Sequence, residues 1–176
     1  MKIVAISGSL RSGSSNAALL RAGAALAPEG MELVFYEDVG ALPHFNPDLD
    51  GGDPPRTVRE FRALLGAADG VLISSPEYAH GIPGSLKNAL DWVVSSGELF
   101  GKPVVLVNAS PSGGERVQAS LTQTLSVMDA QVLVEASLRA PFVRKQLDSQ
   151  GRISDPHLAR ALRASLEALA SVIAAR

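Results

Sequence analysis

The chain has 176 residues, no cysteine, 19% charged residues and a formal net charge of −2. Without cysteine there is no disulfide scaffold, thiolate metal site or thiol nucleophile, and 16 basic residues against 18 acidic ones leave no electrostatic footprint for nucleic acid. No apolar run approaches the ~20 residues of a membrane span, so one domain covering 1–176, with a full core, is expected.

The chain opens on a short apolar run, residues 3–6, with no h-region or cleavage site behind it. No signal peptide is therefore expected, and the expected location is the cytoplasm. Further short, mostly β-branched runs follow at 33–36, 71–73, 104–107 and 132–134. Each reads as a strand buried on both faces, as in a parallel sheet. Helical periods lie between them. Leu19, Gly23 and Leu26 share one face, Phe61, Leu64 and Leu65 mark a shorter helix before Gly66, and Leu86, Ala89, Leu90, Val93 and Val94 share another. Val117, Leu121, Leu125 and Met128 repeat the pattern, and Leu158, Leu162, Leu166, Leu169 and Ile173 close the chain. Strands alternating with helices through right-handed crossovers give an α/β fold with a three-layer, doubly wound, five-stranded parallel sheet. Ligands of such sheets sit beyond the carboxyl ends of the strands. The loops after Ile6, Ile73 and Val107 are the places to look.

The first loop carries Ser7-Gly8-Ser9-Leu10-Arg11-Ser12-Gly13-Ser14-Ser15-Asn16 into a helix. A helix start offers free N–H groups and a positive dipole end. The hydroxyls of Ser9, Ser12, Ser14 and Ser15, the Asn16 amide and the Arg11 guanidinium complete a cradle for phosphate oxygens. Gly8 and Gly13 have the glycine spacing of a Walker loop, but Ser14 stands where its lysine belongs. A triphosphate is therefore not expected, and G-x-G-x-x-G is not spelled either; what remains suits one terminal phosphate. The same composition also suits a capped helix start with no ligand.

The third-strand loop reads Ser74-Ser75-Pro76-Glu77-Tyr78-Ala79-His80-Gly81-Ile82-Pro83-Gly84. Its prolines and glycines give a rigid backbone able to read the edge of a planar heterocycle, with Tyr78 and His80 available for stacking. Pro83 marks the start of the next helix. On that helix Lys87, Asn88 and Asp91 fall on or beside the exposed stripe, and Trp92 faces a neighbouring loop or subunit. The three histidines, His44, His80 and His157, lack ligand spacing with carboxylates, so no metal site is expected. No carboxylate pair or nucleophile elbow is present, and no catalytic residue is assigned.

Gly8-Ser9-Leu10-Arg11 with Ser15-Asn16, then Pro76-Glu77-Tyr78 followed by Pro83-Gly84-x-Leu86-Lys87-Asn88-Ala89-Leu90-Asp91-Trp92, resembles the NAD(P)H-dependent FMN reductase family. That family includes bacterial quinone and chromate reductases and azoreductase-like members. The resemblance covers nearly the whole chain, with the Leu42-Pro43-x-Phe45-Asn46 loop and the Gly113-Gly114 turn. It implies a flavodoxin-like sheet of order 2-1-3-4-5. It implies an FMN cofactor reduced by NADPH or NADH, with quinone, azo, metal-oxyanion or free flavin acceptors. Ser9, Arg11, Ser15 and Asn16 would hold the FMN phosphate beside Ser14. Pro76, Glu77, Tyr78 and Ala79 would border the flavin ring, with His80 and Gly81 in the same loop. Ser110, Ser112 and Gly113 would close the opposite side, in a loop shorter than in several quinone-reducing members. Relatives pair as homodimers or homotetramers, one subunit's loops and third helix walling the other's flavin. The alternative is a flavodoxin-type electron carrier without a nicotinamide site, although carriers present more acidic faces than this chain has.

Overall fold

The computed structural model describes every residue, Met1–Arg176. Strand β1 (Lys2–Ser7) lies between β2 (Glu32–Tyr36) and β3 (Gly70–Ser74), and β4 (Pro103–Asn108) follows β3. A short β5 (Gln131–Val132) completes the order β2-β1-β3-β4-β5, as the resemblance implies, and all pairings are parallel. Helices α1 (Ser15–Ala24) and α5 (Pro156–Ala174) cover one face. Helices α2 (Arg56–Gly66), α3 (Gly84–Asp91) and α4 (Glu115–Ser126) cover the other.

Period-two alternation divides each central strand between two cores. Val4, Ile6, Val71, Ile73, Val104 and Leu106 pack beneath α2–α4, while Ile3, Ala5, Leu72, Val105 and Val107 face α1 and α5. Strand β2 differs from the expectation of burial on both faces. It is an edge strand, and its apolar residues Leu33, Val34, Phe35 and Tyr36 are only half-buried.

The fifth strand also departs from expectation. The run 132–134 forms a ladder only as β5 (Gln131–Val132), then Val134–Ala136 closes a 3₁₀ turn, and pairing with β4 resumes at β6 (Leu138–Arg139). Side chains bridge the gap. Leu106 N–H donates to Ser137 Oγ at 3.2 Å, and Gln118 Nε2 donates to the carbonyls of Leu106 and Leu138. Since those groups are satisfied, the strand can break without orphaning buried amides.

Three helical periods also outrun their helices. Leu26 lies past the end of α1, Val94 past α3 with 48% exposure, and Met128 past α4 although it stays buried. Trp92 is fully buried inside the subunit, edge-on to Phe45, with its ring N–H donating to the Pro43 carbonyl. It therefore faces a loop and not another subunit. Asn88, expected near the exposed stripe, turns inward: Oδ1 accepts from Phe45 N–H and Nδ2 donates to Pro43. Lys87 and Asp91 do pair on the outer side.

Candidate functional site

The loops after β1, β3 and β4 meet along the carboxyl edge of the sheet, and one buried side chain joins all three. Asn16, at the head of α1, is 4% exposed. Its Oδ1 accepts from Ser74 Oγ at 2.9 Å and from the Ala109 amide at 3.0 Å. Its Nδ2 has no partner within the chain and reaches the surface.

Around Nδ2 the first loop presents donors. The amides of Ser12, Gly13, Ser15 and Asn16 have no acceptor in the chain, as a helix start leaves them. Ser14 does not share that role: its hydroxyl caps α1 by accepting from Ala17 N–H, and the residue is buried. Ser9 Oγ accepts from the Arg11 amide at 3.4 Å, while the Arg11 guanidinium is exposed and unpaired. No acidic residue lies between Ser7 and Asn16.

A second guanidinium arrives from far along the chain. Arg144 Nε donates to Ser15 Oγ at 3.1 Å, and its terminal nitrogen donates to the Gly13 carbonyl. Val143 beside it is wholly buried, and Phe142 turns the backbone through φ 59°. Nothing in the sequence near Arg144 signals this placement, because the contact spans more than a hundred residues. Asn108 was equally hidden as the polar end of an apolar run. Its Nδ2 donates to the Ser75 carbonyl and its Oδ1 accepts from Ser110 N–H at 2.7 Å. Gly114 completes that joint. Its φ is +65°, and a Cβ there would lie 2.2 Å from the Asn108 side chain, a position only glycine can fill.

The third-strand loop uses its polar side chains internally. Glu77 N–H donates to Ser110 Oγ at 3.1 Å, and Ser110 is buried. Glu77 Oε2 accepts from the amides of Arg116 and Val117 at the start of α4, and Oε1 faces His80 Nδ1 at 3.3 Å. Burial opposes ionisation of Glu77, but the hydrogen bonds from His80, Val117 and Arg116 outweigh it and hold the carboxyl below its ordinary value. Glu77 is thus a helix cap that pins the loop. Pro76 is buried, whereas Tyr78 is 53% exposed. Tyr78 and Gly81 exchange main-chain hydrogen bonds. Ala79 and His80 take φ of 48° and 63°, and their amides have no acceptor in the chain. Across from them Ser112 is exposed and Gly113 half-buried.

The description "NADPH-dependent FMN reductase" belongs to a family model that matches residues 1–144. The chain belongs to this family. It is 36% identical to an NAD(P)H-dependent FMN reductase of Pseudomonas aeruginosa, over 96% of this chain and 93% of that protein. It is 34% identical to a quinone reductase of Escherichia coli K12, over 88% and 86%. Among solved structures it resembles FerB, a flavoenzyme NAD(P)H:(acceptor) oxidoreductase of Paracoccus denitrificans, with a TM-score of 0.91 and 27% identity over 99% and 97% of the two chains.

The residues present fit the FMN of that family. The head of α1 is a cradle of free amides with two guanidiniums and no acid, suited to a phosphate dianion. A rigid loop with free main-chain donors and an exposed aromatic stands beside it, suited to a planar heterocycle. Of the expected residues, Ser9, Arg11, Ser15, Asn16, Tyr78, Ala79, His80, Ser112 and Gly113 are grouped at this edge with accessible groups. Ser14, Pro76, Glu77, Gly81 and Ser110 lie there too, but they shape the loops.

Proposed function

We propose that the protein is an FMN-dependent NAD(P)H oxidoreductase that reduces quinone, azo, metal-oxyanion or free flavin acceptors. The cradle at the head of α1 carries this reading: the free amides of Ser12, Gly13, Ser15 and Asn16, Asn16 Nδ2, and the guanidiniums of Arg11 and Arg144, with no acid in the loop. When bound, FMN supplies the hydride relay between nicotinamide and acceptor, so the chain needs no acid, base or nucleophile of its own.

The protein's part is to bind and orient. Arg11 and Arg144 would neutralise the phosphate, and Ser9, Ser15 and the α1 amides would donate hydrogen bonds to it. Asn16, held by Ser74 and Ala109, sets the spacing between phosphate and ring loops. The unpaired amides of Ala79 and His80 offer hydrogen bonds to the polar edge of a ring, which stabilises negative charge on it without an ionisable side chain. The exposed outer side of Tyr78 leaves an open face that donor and acceptor can use in turn, giving ping-pong kinetics. Leu49 and Val94, both nearly half exposed and each next to a partner of the Ser95–Asp50 hydrogen bond, are the candidate contacts of a homodimer or homotetramer.

The test is an anaerobic titration. Protein mixed with FMN should give a yellow complex, bleached by NADPH or NADH and restored by benzoquinone. A yellow complex that neither nicotinamide bleaches would leave an electron carrier and overturn the reductase. A monomer by light scattering would remove the assembly.

A further inference from the structure

Beside the phosphate loop, between α1 and the end of β2, lies a cavity of about 400 Å³. That volume falls within the ~300–1,000 Å³ range of small-ligand sites. Ala5, Ala17, Leu20 and Phe35 are among its apolar lining. Its rim is charged. Arg21 pairs with Glu37 at 3.2 Å, and Asp38 has no cationic partner. Leu10 stands at the mouth, 61% exposed, close enough to Gly40 that a Cβ there would meet it at 3.1 Å. An apolar side chain so exposed beside an apolar slot gains burial only when the slot is filled.

Glu37 and Asp38 are the first residues after β2. In Rossmann sheets, whose glycine fingerprint this chain lacks, an acid shortly after the second strand hydrogen-bonds the hydroxyls of a ribose, and Glu37 and Asp38 occupy the matching place after β2. Charge sharpens the match. Glu37 neutralises Arg21, and a phosphate in the α1 cradle would neutralise Arg11. Asp38 is then the unbalanced charge at the rim. Burial, and then the charges of Asp38 and Glu60, push the pKa of the neighbouring Tyr36 hydroxyl up to about 12.

We propose that this cavity takes the adenosine end of the pyridine dinucleotide, base against Phe35 and ribose diol against Glu37 and Asp38, and that the protein consequently prefers NADH to NADPH. The proposal rests on the NAD(P)H-dependent reading above. Ser9, Arg11 and Ser12 border both the cavity and the phosphate cradle, so a dinucleotide seated here adjoins the proposed flavin site.

ADP-ribose carries the adenosine end without the nicotinamide and cannot reduce a flavin. Calorimetric titration of the FMN-loaded protein should show ADP-ribose binding, competitive with NADH. Its 2′-phosphorylated analogue should bind roughly tenfold or more weakly. The double variant E37Q/D38N, which touches none of the cradle, should lose about tenfold in ADP-ribose affinity, the scale of one hydrogen bond to a charged group. Because it also frees Arg21, the double variant should bind the 2′-phosphorylated analogue more tightly than the parent does. In turnover, KM for NADH should rise while kcat holds. Absence of ADP-ribose binding, binding that does not compete with NADH, or unchanged affinity in E37Q/D38N would each overturn the proposal. Failure of the flavin reading would look different, since FMN would then give no yellow complex whatever ADP-ribose does.

Discussion

The loops after β1 and β3 leave neighbouring strands at the same edge of the sheet, yet they treat their polar groups in opposite ways. The first keeps donors free: the amides at the head of α1, Asn16 Nδ2 and the Arg11 guanidinium have no acceptor in the chain. The second ties its side chains down, with Glu77 capping α4 and Ser110 holding the Glu77 amide. A phosphate is a compact charge and is best met by many donors. A flat ring is best met by a fixed surface, and Glu77 and Ser110 supply the stiffness that keeps one. The serine- and arginine-rich loop therefore offers both free amides and free side-chain donors, whereas the proline-rich loop offers mainly its backbone.

This contrast can be attacked at the joint between the loops. Gly114→Val puts a branched side chain at φ +65° and into Asn108. It should destabilise the fold by about 3 kcal/mol or more, read in urea denaturation, and should abolish FMN binding. Arg11→Ala should leave stability unchanged and weaken FMN by about 1.5–3 kcal/mol, measured by quenching of flavin fluorescence. Equal FMN affinity would remove Arg11 from the cradle. Asn16→Ala strands the Ser74 hydroxyl and the Ala109 amide, and should cost about 1–3 kcal/mol of stability with a parallel loss of FMN. A loss of FMN alone would contradict its role as a joint.

The smallest effect probes the stiff loop. The folded protein holds the Glu77 carboxyl below its ordinary value of 4.5, so the unfolded chain binds more protons in that range. Stability supplied by Glu77 is therefore present above pH 4.5 and is lost as pH falls through the lowered value. Glu77→Gln should flatten the acid limb of the pH–stability curve while leaving FMN affinity at pH 7 nearly unchanged. A large loss of FMN would mean that Glu77 contacts the ligand directly.

The layers of the fold were legible because they rest on local periodicity. Alternation in 3–6 and 104–107, and helical spacing in 117–125 and 158–173, put apolar groups where two cores need them. Misreadings fell where tertiary partners overrule local pattern. Residues 132–134 look like one strand, but Ser137 and Gln118 satisfy the β4 groups that a continuous ladder would have used. Asn88 sits near a polar stripe, but the Pro43–Phe45 loop captures it.

Composition and motif spacing by themselves determined the doubly wound sheet and the loops where a site was to be sought, because these follow from short-range patterns and glycine placement. The family came from the resemblance of the two loop motifs to known reductases. Only the tertiary structure decided which polar groups at that edge are free. Arg144 reaches Ser15, Asn108 reaches Ser75, and Glu77 reaches α4 across large sequence separations. Whether a serine or a glutamate faces a ligand depends on whether folding has already supplied it with a partner, and no local spacing records that.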